Sequence, residues 1–442
     1  SIPLFQTHKL FFMELCAGGD LLSYIRRRRH LDEDLARYFF RQLIIGLGYI
    51  GLPTAAVIAH TGRQVIGVDV NVDVVSTVNK GKIHIFEPGL NKVVADAVAS
   101  GALSAQISTA LADVFVIAVP TPLSSSTDGM PQPNIDYVLS AVRAIAPVLR
   151  PGNLVILEST SPVGTTEQVA KLIDEFSGLN SEQVQIAYCP ERVIPGRILE
   201  ELVNNDRVIG GLTPAASESA KTFYSSFCKG SMLTTTARTA ELVKLTENSF
   251  RDVNIAFANE LSLVCDRLSI NVLELIQLAN HHPRVDILQP GCGVGGHCIA
   301  VDPWFIAATA PDCTSLIQAA RSVNDGKSRW VISQVMARAT ALEKELDRPV
   351  RIGCLGLAFK PDVDDLRESP SLRITTELML SGLDVLACEP NLSEHPILKL
   401  YSLEQVLEEA DLFVFLVAHS EFMTVNLSGR EVFDLCGVTE RR

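Results

Sequence analysis

An α/β chain of two doubly wound domains joined by a central helical region is predicted by three observations. Short β-rich apolar runs alternate with helical stretches from Gln42 onward, a 3.6-residue repeat takes over from Thr239 to about Glu345, and a second strand-into-glycine pattern starts at Val350. In the first domain, about residues 41–225, the runs Leu43–Ile45, Val65–Val68, Val114–Val119, Leu154–Leu157 and Val184–Tyr188 read as buried parallel strands with helices between them. In the central region, about residues 226–345, Ala240, Leu242, Val243 and Leu245, then Val253, Ala256, Phe257, Leu261 and Val264, recur near the helical period. That apolar repeat links the two domains and offers a dimer interface. The last segment, about residues 346–442, runs from the strand Val350–Leu355 into Gly356. Leu383–Ala387 and Leu412–Val417 follow as strands, giving a smaller Rossmann-like domain after the first.

Composition bounds the partners. The 442 residues carry a net charge of −13, which argues against a nucleic-acid partner, because a phosphate backbone is held by excess Lys and Arg. A small anionic ligand needs only a few local cations and stays open. The ten cysteines are scattered, with no CxxC pair and no Cys/His grouping at zinc spacing, so no metal site is expected. Free thiols fit a reducing, cytoplasmic setting. The most apolar stretch, Leu43 to Ala59, is broken by Gly46, Gly48, Gly51 and Pro53, so it reads as strand, turn and helix start, and no membrane partner is expected.

The turn Gly46-x-Gly48-x-x-Gly51 follows one strand and opens one helix. In that order the glycines permit a tight turn and close backbone approach, so that helix N–H groups meet a pyrophosphate. Asp69 ends the next strand, where a carboxylate accepts from ribose hydroxyls and repels a 2′-phosphate, favouring NAD. Val119-Pro120-Thr121-Pro122 and Glu158-Ser159-Thr160-Ser161-Pro162 also follow strands. Thr121 either faces a cofactor or ends a turn, and the hydroxyls after Glu158 either bind ligand or cap the helix beyond Pro162.

The sharpest feature is Gly293-Val294-Gly295-Gly296-His297-Cys298. Glycines before a cysteine let the backbone approach a ligand, and a cysteine attacks carbon only as thiolate. Lys244, Asn248 and Arg251 are spaced by four and three on one helix and so share a face. A Lys with an Asn below it can hold an oxyanion and shuttle protons, although a solvated helix face has the same spacing. His282 and Arg284 precede the glycines and suit phosphate or sugar, or a plain surface loop. Lys360 and Arg367 flank the acidic Asp362–Asp365 stretch, and can bind ligand or pair with it.

Six segments in order, IGLGYIGLPTA, ESTSPVGTTE, YCPERVIPG, ELVKLTENSFRDVNIAFANEL, GVGGHCIAVDPWF and GLAFKPDVDDLRESP, resemble the UDP-glucose/GDP-mannose dehydrogenase family from about Leu43 to the end. The resemblance implies roles. Cys298 is the nucleophile, and Lys244 and Asn248 hold the oxyanion, with Lys244 also moving protons. Asp302 positions water, and Thr160 and Glu191 lie near the reacting centre. Tyr49, Ile50, Asp69, Thr121 and Thr160, with the three glycines, contact NAD. Arg192, Val193, Lys244, Asn248, Arg251, His282, Arg284, Gly295, Phe359, Lys360 and Arg367 bind a UDP-sugar. It further implies oxidation of the C6 alcohol through a thiohemiacetal and thioester to a carboxylate, in a homodimer or higher homo-oligomer. The expected substrate is UDP-N-acetyl-D-mannosamine, with UDP-glucose or UDP-N-acetylglucosamine as alternatives. A fusion that only binds nucleotide is a further alternative, against which the complete Cys298–Lys244–Asn248–Asp302 set argues. Cys292 and Ala418 depart from the family pattern, which usually has Pro and Asp there.

The segment before strand one is foreign to this scheme. Leu10–Ile25 resemble the hinge and following helix of a protein kinase, and Asp32–Ile50 its next helix, without a catalytic loop or metal-binding motif. The two resemblances overlap at Ile45–Ile50, where a chimaera would be joined. Arg41–Ile45 is therefore pulled toward helix by one pattern and strand by the other, and the strand is expected to prevail because it is central to the sheet.

Overall fold

The computed structural model describes residues 41–124, 130–180 and 182–439. Residues 1–40, and with them most of the kinase-like stretch, lie outside the described residues. The chain divides into two compact units, one ending at Leu245 and the other spanning Thr246–Arg442.

In the first unit an eight-stranded sheet has the order β10-β9-β8-β7-β4-β1-β2-β3. Its strands are β1 (Arg41–Ile45), β2 (Gln64–Val68), β3 (Leu103–Gln106), β4 (Val114–Ile117), β7 (Leu154–Leu157), β8 (Gln185–Tyr188), β9 (Arg207–Gly211) and β10 (Met232–Thr236), while β5 (Leu123–Ser124) and β6 (Gln132–Pro133) form a separate hairpin. Arg41–Ile45 is strand, paired in parallel with β2 on one side and β4 on the other. The helical alternative for this segment is thereby overruled from Arg41 onward. A strand between two intact neighbours satisfies its backbone groups on both edges and buries both faces. Ile44 enters one core layer, while Leu43 and Ile45 enter the other.

The sequence missed β3, β9 and β10. The edge strand β10 has mostly exposed or half-buried residues, so it lacks an apolar run. Strand β9 ends in Gly210 and Gly211, where an added Cβ would meet Thr236 O at 2.3 Å and Ser217 N at 2.4 Å. The glycines that weaken its strand signal are needed for its packing. It also pairs antiparallel with β8. After β3 the chain crosses back to β4 beside β1, and that reversal of winding opens a crevice at the carboxyl ends of the strands.

Helix α1 (Gly51–His60) follows β1 through a turn in which Gly46 has φ +90°. A Cβ on Gly46 would lie 2.6 Å from Ala118 O, and one on Gly51 would lie 1.8 Å from Gly46 O. Strand one, the turn and the helix therefore close only with glycine at both positions.

The second unit contains a four-stranded parallel sheet of order β12-β11-β13-β14, from β11 (Arg351–Leu355), β12 (Asp384–Cys388), β13 (Leu412–Phe415) and β14 (Glu431–Asp434). Helices α2 (Val272–Ala279), α3 (Asp302–Thr309) and α4 (Ser315–Leu346) precede it. A 32-residue helix, α5 (Ala237–Leu268), runs from the first unit into the second. Not all of its apolar repeat is buried within the chain. Phe257 is 51% exposed and Val264 47%, with Phe250 and Leu268 also exposed.

The two sheets repeat one local design. Gly46 N donates to Val68 O at 2.8 Å, and Gly356 N donates to Cys388 O at 2.9 Å. Asp113 accepts from Arg41 N at 3.1 Å, and Asp411 accepts from Arg351 N at 2.9 Å. Gly46 and Gly356 have φ of +90° and +92°.

Gly51→Ala tests the turn. The added methyl has no room against Gly46 O, so urea unfolding should show a loss of about 1–3 kcal/mol, and unchanged stability would mean that the turn is looser than described.

Candidate active site

In the first unit the loops at the carboxyl ends of β1, β2, β4 and β7 carry the cofactor candidates. Gly48 is exposed, with nothing within 4 Å of a Cβ built on it, so the turn presents open backbone at that point. No side chain caps the start of α1. Asp69, at the end of β2, accepts from Leu47 N at 2.9 Å through Oδ2 and from Asn71 N at 2.9 Å through Oδ1. It is half-buried, so a carboxylate reaches the surface beside the glycine turn. This cradle fits a dinucleotide: the glycines clear space for a pyrophosphate, and the acid suits ribose hydroxyls.

Thr121 and Thr160 are brought together. Thr121 Oγ1 donates to Thr160 O at 2.7 Å, and Ser159 Oγ donates to Val119 O at 2.7 Å. The Glu158–Pro162 hydroxyls therefore do not simply cap a helix. Ser159 ties the loops after β4 and β7 to each other. The helix beyond, α6 (Thr165–Ser177), is capped from elsewhere. Fully buried Glu241 of α5 accepts from Gly164 N at 2.6 Å, Thr166 N at 2.8 Å and Thr166 Oγ1 at 2.6 Å. Burial raises the Glu241 pKa, and these three donors oppose that rise. Glu241 lies three residues before Lys244, so this clamp fixes the helix turn that carries the lysine against the loop that carries Thr160. The sequence reading missed it, although the carboxylate is the first residue of the ELVK motif.

Glu191 lies in the loop after β8 and is turned inward, with Arg207 Nη1 2.9 Å away, while Glu191 Oε1 accepts from Arg192 N at 2.9 Å. Arg192 Nη1 donates to Asp206 O at 3.1 Å, and Val193 is half-buried beside it.

Of the three residues expected to share one face of α5, Lys244 and Asn248 are buried but Arg251 is exposed. The face therefore divides after Asn248, because Asp252, the next residue inward, takes the buried position.

In the second unit Cys298 precedes α3 and is half-buried and unbridged. Its carbonyl accepts from Asp302 N at 2.8 Å and Val301 N at 3.0 Å, which fixes the cysteine against the first turn of α3. Asp302 is 2% exposed, and Asn248 Nδ2 donates to its Oδ2 at 2.6 Å. The amide and the carboxylate are thus locked together next to the turn that carries the thiol. Four other cysteines, Cys189, Cys292, Cys354 and Cys388, have their thiols pushed up to about 12 by burial. They are core residues in the neutral thiol form. Cys292 packs into a core layer, and its Sγ donates to Leu416 O at 3.3 Å.

The glycines before Cys298 also admit a close approach from within the chain. A Cβ on Gly295 would meet Glu368 O at 2.7 Å and Phe359 Cβ at 2.8 Å, and one on Gly296 would meet the Phe359 ring at 2.9 Å. Gly296 N also donates to Arg367 O at 3.0 Å. The thiol loop and the segment bearing Phe359, Lys360 and Arg367 are thereby packed backbone to backbone. Arg367 pairs with Asp365 at 2.5 Å, so the basic residue does pair with the acidic stretch.

His282 and Arg284 are exposed on a turn held to α5 by Asn254, which donates to Asp286 O at 3.0 Å and accepts from Leu288 N at 3.1 Å. A buried polar chain continues inward. Gly291 N donates to Asn259 Oδ1, Asn259 to Asn324 Oδ1, and Asn324 to Asp252 Oδ1, at 2.9, 2.9 and 2.8 Å, with Arg321 on Asp252 at 2.7 Å. Asp252, Asn254 and Asn259 of this network belong to the NSFRDVNIAFANEL motif, and sequence spacing alone did not separate them from ligand-facing residues.

The last sheet repeats the strand-end acid, but sealed. Glu389 Oε2 accepts from Leu357 N at 2.7 Å and Ala358 N at 2.9 Å, with His419 Nε2 at 3.1 Å. Burial pushes its pKa upward, but His419 and the two amides outweigh that and hold it below its ordinary range. Asp69 is partly open beside its glycine turn, whereas Glu389 is enclosed.

Among the described residues no helix is long and apolar enough to cross a membrane. Three parts of the chain match the UDP-glucose/GDP-mannose dehydrogenase family: its NAD binding domain over residues 41–228, its central domain over 238–326 and its UDP binding domain over 353–441. The chain is 53% identical over 403 residues to UDP-N-acetyl-D-mannosamine dehydrogenase of Campylobacter jejuni, covering 88% of this chain and 97% of that protein. It is 50% identical over 411 residues to NDP-N-acetyl-D-galactosaminuronic acid dehydrogenase of Ralstonia nicotianae, covering 89% of this chain and 95% of that protein. The solved structure of UDP-D-ManNAc dehydrogenase from Pyrococcus horikoshii aligns with a TM-score of 0.83 at 38% identity, covering 91% of this chain and 97% of that one. The family match begins at residue 41, and the kinase resemblance of the preceding residues finds no support in it. With the three domains in order behind a glycine turn and an acid that fit NAD, the chain belongs to the UDP-glucose/GDP-mannose dehydrogenase family.

Proposed function

We propose that the protein oxidises UDP-N-acetyl-D-mannosamine at C6 to UDP-N-acetyl-D-mannosaminuronate, with two NAD and one water consumed per sugar. Residues 41–225 serve the cofactor, 226–345 the chemistry and subunit contact, and 346–442 the UDP-sugar. The single observation that carries the chemical part is the locked Asn248–Asp302 pair at 2.6 Å beside the turn that holds Cys298. The relatives named for this sugar, at 53–54% identity, support the choice of substrate.

NAD, held by the glycine turn, Tyr49, Ile50, Asp69, Thr121 and Thr160, supplies the hydride acceptor for both oxidations. After the first, the Cys298 thiolate adds to the C6 aldehyde and forms a thiohemiacetal. Lys244 and Asn248 donate to the oxyanion on C6, and Lys244 moves the proton as the charge forms and disperses. The second oxidation converts the adduct to a thioester on Cys298. Asp302, fixed by Asn248, orients the water that attacks it, with Thr160 and Glu191 near the reacting centre. Hydrolysis breaks the C–S bond, returns the thiol and leaves the carboxylate. Arg192, Val193, Lys244, Asn248, Arg251, His282, Arg284, Gly295, Phe359, Lys360 and Arg367 bind the UDP-sugar. The sealed Glu389 leaves no open acid at the end of β12, the strand that corresponds to β2, which supports assigning the dinucleotide to the first sheet.

Purified protein with UDP-N-acetyl-D-mannosamine should release two NADH per sugar, and Cys298→Ala should abolish uronate formation. One NADH per sugar, or activity that survives loss of the thiol, contradicts the mechanism. The panel should include UDP-glucose, UDP-N-acetylglucosamine and UDP-N-acetylgalactosamine, because the Ralstonia relative is named for a galactosaminuronic acid. A faster turnover on any of these reassigns the sugar.

A homodimer belongs to the same proposal, as does a cytoplasmic setting for an enzyme whose nine described cysteines form no disulfide with one another. Phe250, Phe257, Val264 and Leu268 expose an apolar stripe along α5, and stripes of this kind are commonly covered by a partner. Sedimentation equilibrium should give about twice the 48.0 kDa chain mass, and Phe257→Asp should lower it to the monomer. A wild-type monomer overturns the dimer.

A further inference from the structure

Four buried polar side chains and two thiols meet at the end of the first sheet, beneath the loops that carry the candidate catalytic groups. Glu158 follows β7, and Cys189 and Glu191 follow β8. Because β9 runs antiparallel to β8, its first residue, Arg207, lies at that same end. Tyr224, from the end of the helix Pro214–Tyr224, and Cys228 close the cluster. Arg207 is 3% exposed, and its Nη1 lies 2.9 Å from Glu191 Oε2 and 3.7 Å from Glu158 Oε1. The guanidinium has other neighbours. Its Nε donates to Cys228 Sγ at 3.1 Å, its Nη2 donates to Leu202 O at 3.2 Å, and its plane sits 4.5 Å from the centre of the Tyr224 ring. Tyr224 in turn donates to Glu158 Oε1 at 3.0 Å.

Charge decides how the cluster is occupied. One guanidinium and two carboxylates in a sealed space balance only with one extra proton. Glu158 is fully buried, and burial first, then the neighbouring Glu191, push it up to about 8. Both effects push Glu158 toward its neutral form, and Glu191 is the carboxyl that faces Arg207 at the shorter distance.

We propose that Arg207 is a positioning residue for the oxidation, holding the Glu191 side chain in one orientation through their close ion pair. The inference rests on the reading in which Glu191 acts near the reacting centre. Arg207 itself is enclosed, and it acts through Glu191.

The test is the pH profile of kcat and KM for UDP-N-acetyl-D-mannosamine in the full chain, for wild type, Arg207→Lys, Arg207→Gln and Glu191→Gln. Arg207→Lys keeps the charge but loses the Nε and Nη2 hydrogen bonds and the stack, so kcat should fall about tenfold while KM stays within about threefold and the acid limb does not move. Arg207→Gln removes the counter-charge, so the acid limb should move up by about one pH unit or more. A purely structural role lowers thermal stability without moving that limb, so an unmoved limb in Arg207→Gln overturns the proposal. If Arg207→Gln does not fold, Arg207→Lys decides. A tenfold lower kcat at unchanged KM and melting temperature supports the proposal, and wild-type kcat overturns it. Wild-type turnover by Glu191→Gln would instead remove the underlying reading of Glu191, a result separate from either Arg207 outcome.

Discussion

Backbone N–H groups released at the ends of strands and the starts of helices must be paired once they are buried. In this chain carboxylates pair many of them. Asp69 takes the amide of Leu47, Glu241 those of Gly164 and Thr166, and Glu389 those of Leu357 and Ala358. Glu87 does the same for Gly196 and Ile198 at 2.8 Å each, which pins the loop after YCPER to the segment before Leu90. A charged acceptor gives a stronger bond than a neutral one, so one side chain adds to the packing in fixing each loop. The candidate site depends on this constraint, since its cofactor-facing and thiol-bearing loops contain several glycines and have little rigidity of their own.

The same constraint explains how two similar sheets come to differ in use. Both begin with a strand whose first amide is taken by an aspartate before the neighbouring strand, and both pass into a left-handed glycine. They diverge at the strand-end acid. Asp69 holds one loop amide and keeps part of its surface open, which suits ribose. Glu389 is closed in by two amides and His419, and Asp362 N donates to His419 Nδ1 at 3.0 Å. The second acid has thus become a brace for the segment bearing Phe359 and Lys360. That segment in turn packs on the glycines before Cys298. In the last sheet the strand-end acid orders the loop that presents the candidate substrate residues.

The strands β1, β2, β4, β7, β8, β11, β12 and β13 were legible because their apolar runs are buried on both faces. The glycine turn was legible because only a strand before it and a helix after it make sense of Gly46, Gly48 and Gly51. Cys298 stands out by its context in the sequence, and it lies half-buried before α3. The supporting carboxylates were not. Glu241, Glu389 and Glu87 are ordinary acids in the sequence, and their roles depend on partners 31 to 111 positions away. Arg207 likewise begins a strand that carries no apolar signature of its own length. The glycines before the thiol signal a close approach, but the Phe359 segment as one of the approaching groups is not readable from them. Exposed Arg251 shows the corresponding limit of helical spacing, which gives angle and not depth.

The most direct test of the carboxylate-held loops is amide hydrogen exchange, resolved to single residues by fragmentation mass spectrometry, in wild type and Glu241→Gln. Gly164 and Thr166 should lose about tenfold or more of their protection, while the amides of β1 and β2 stay as they were. Unchanged protection at Gly164 and Thr166 would mean that packing, and not the buried carboxylate, holds the loop, and the account of the site would fail at its base.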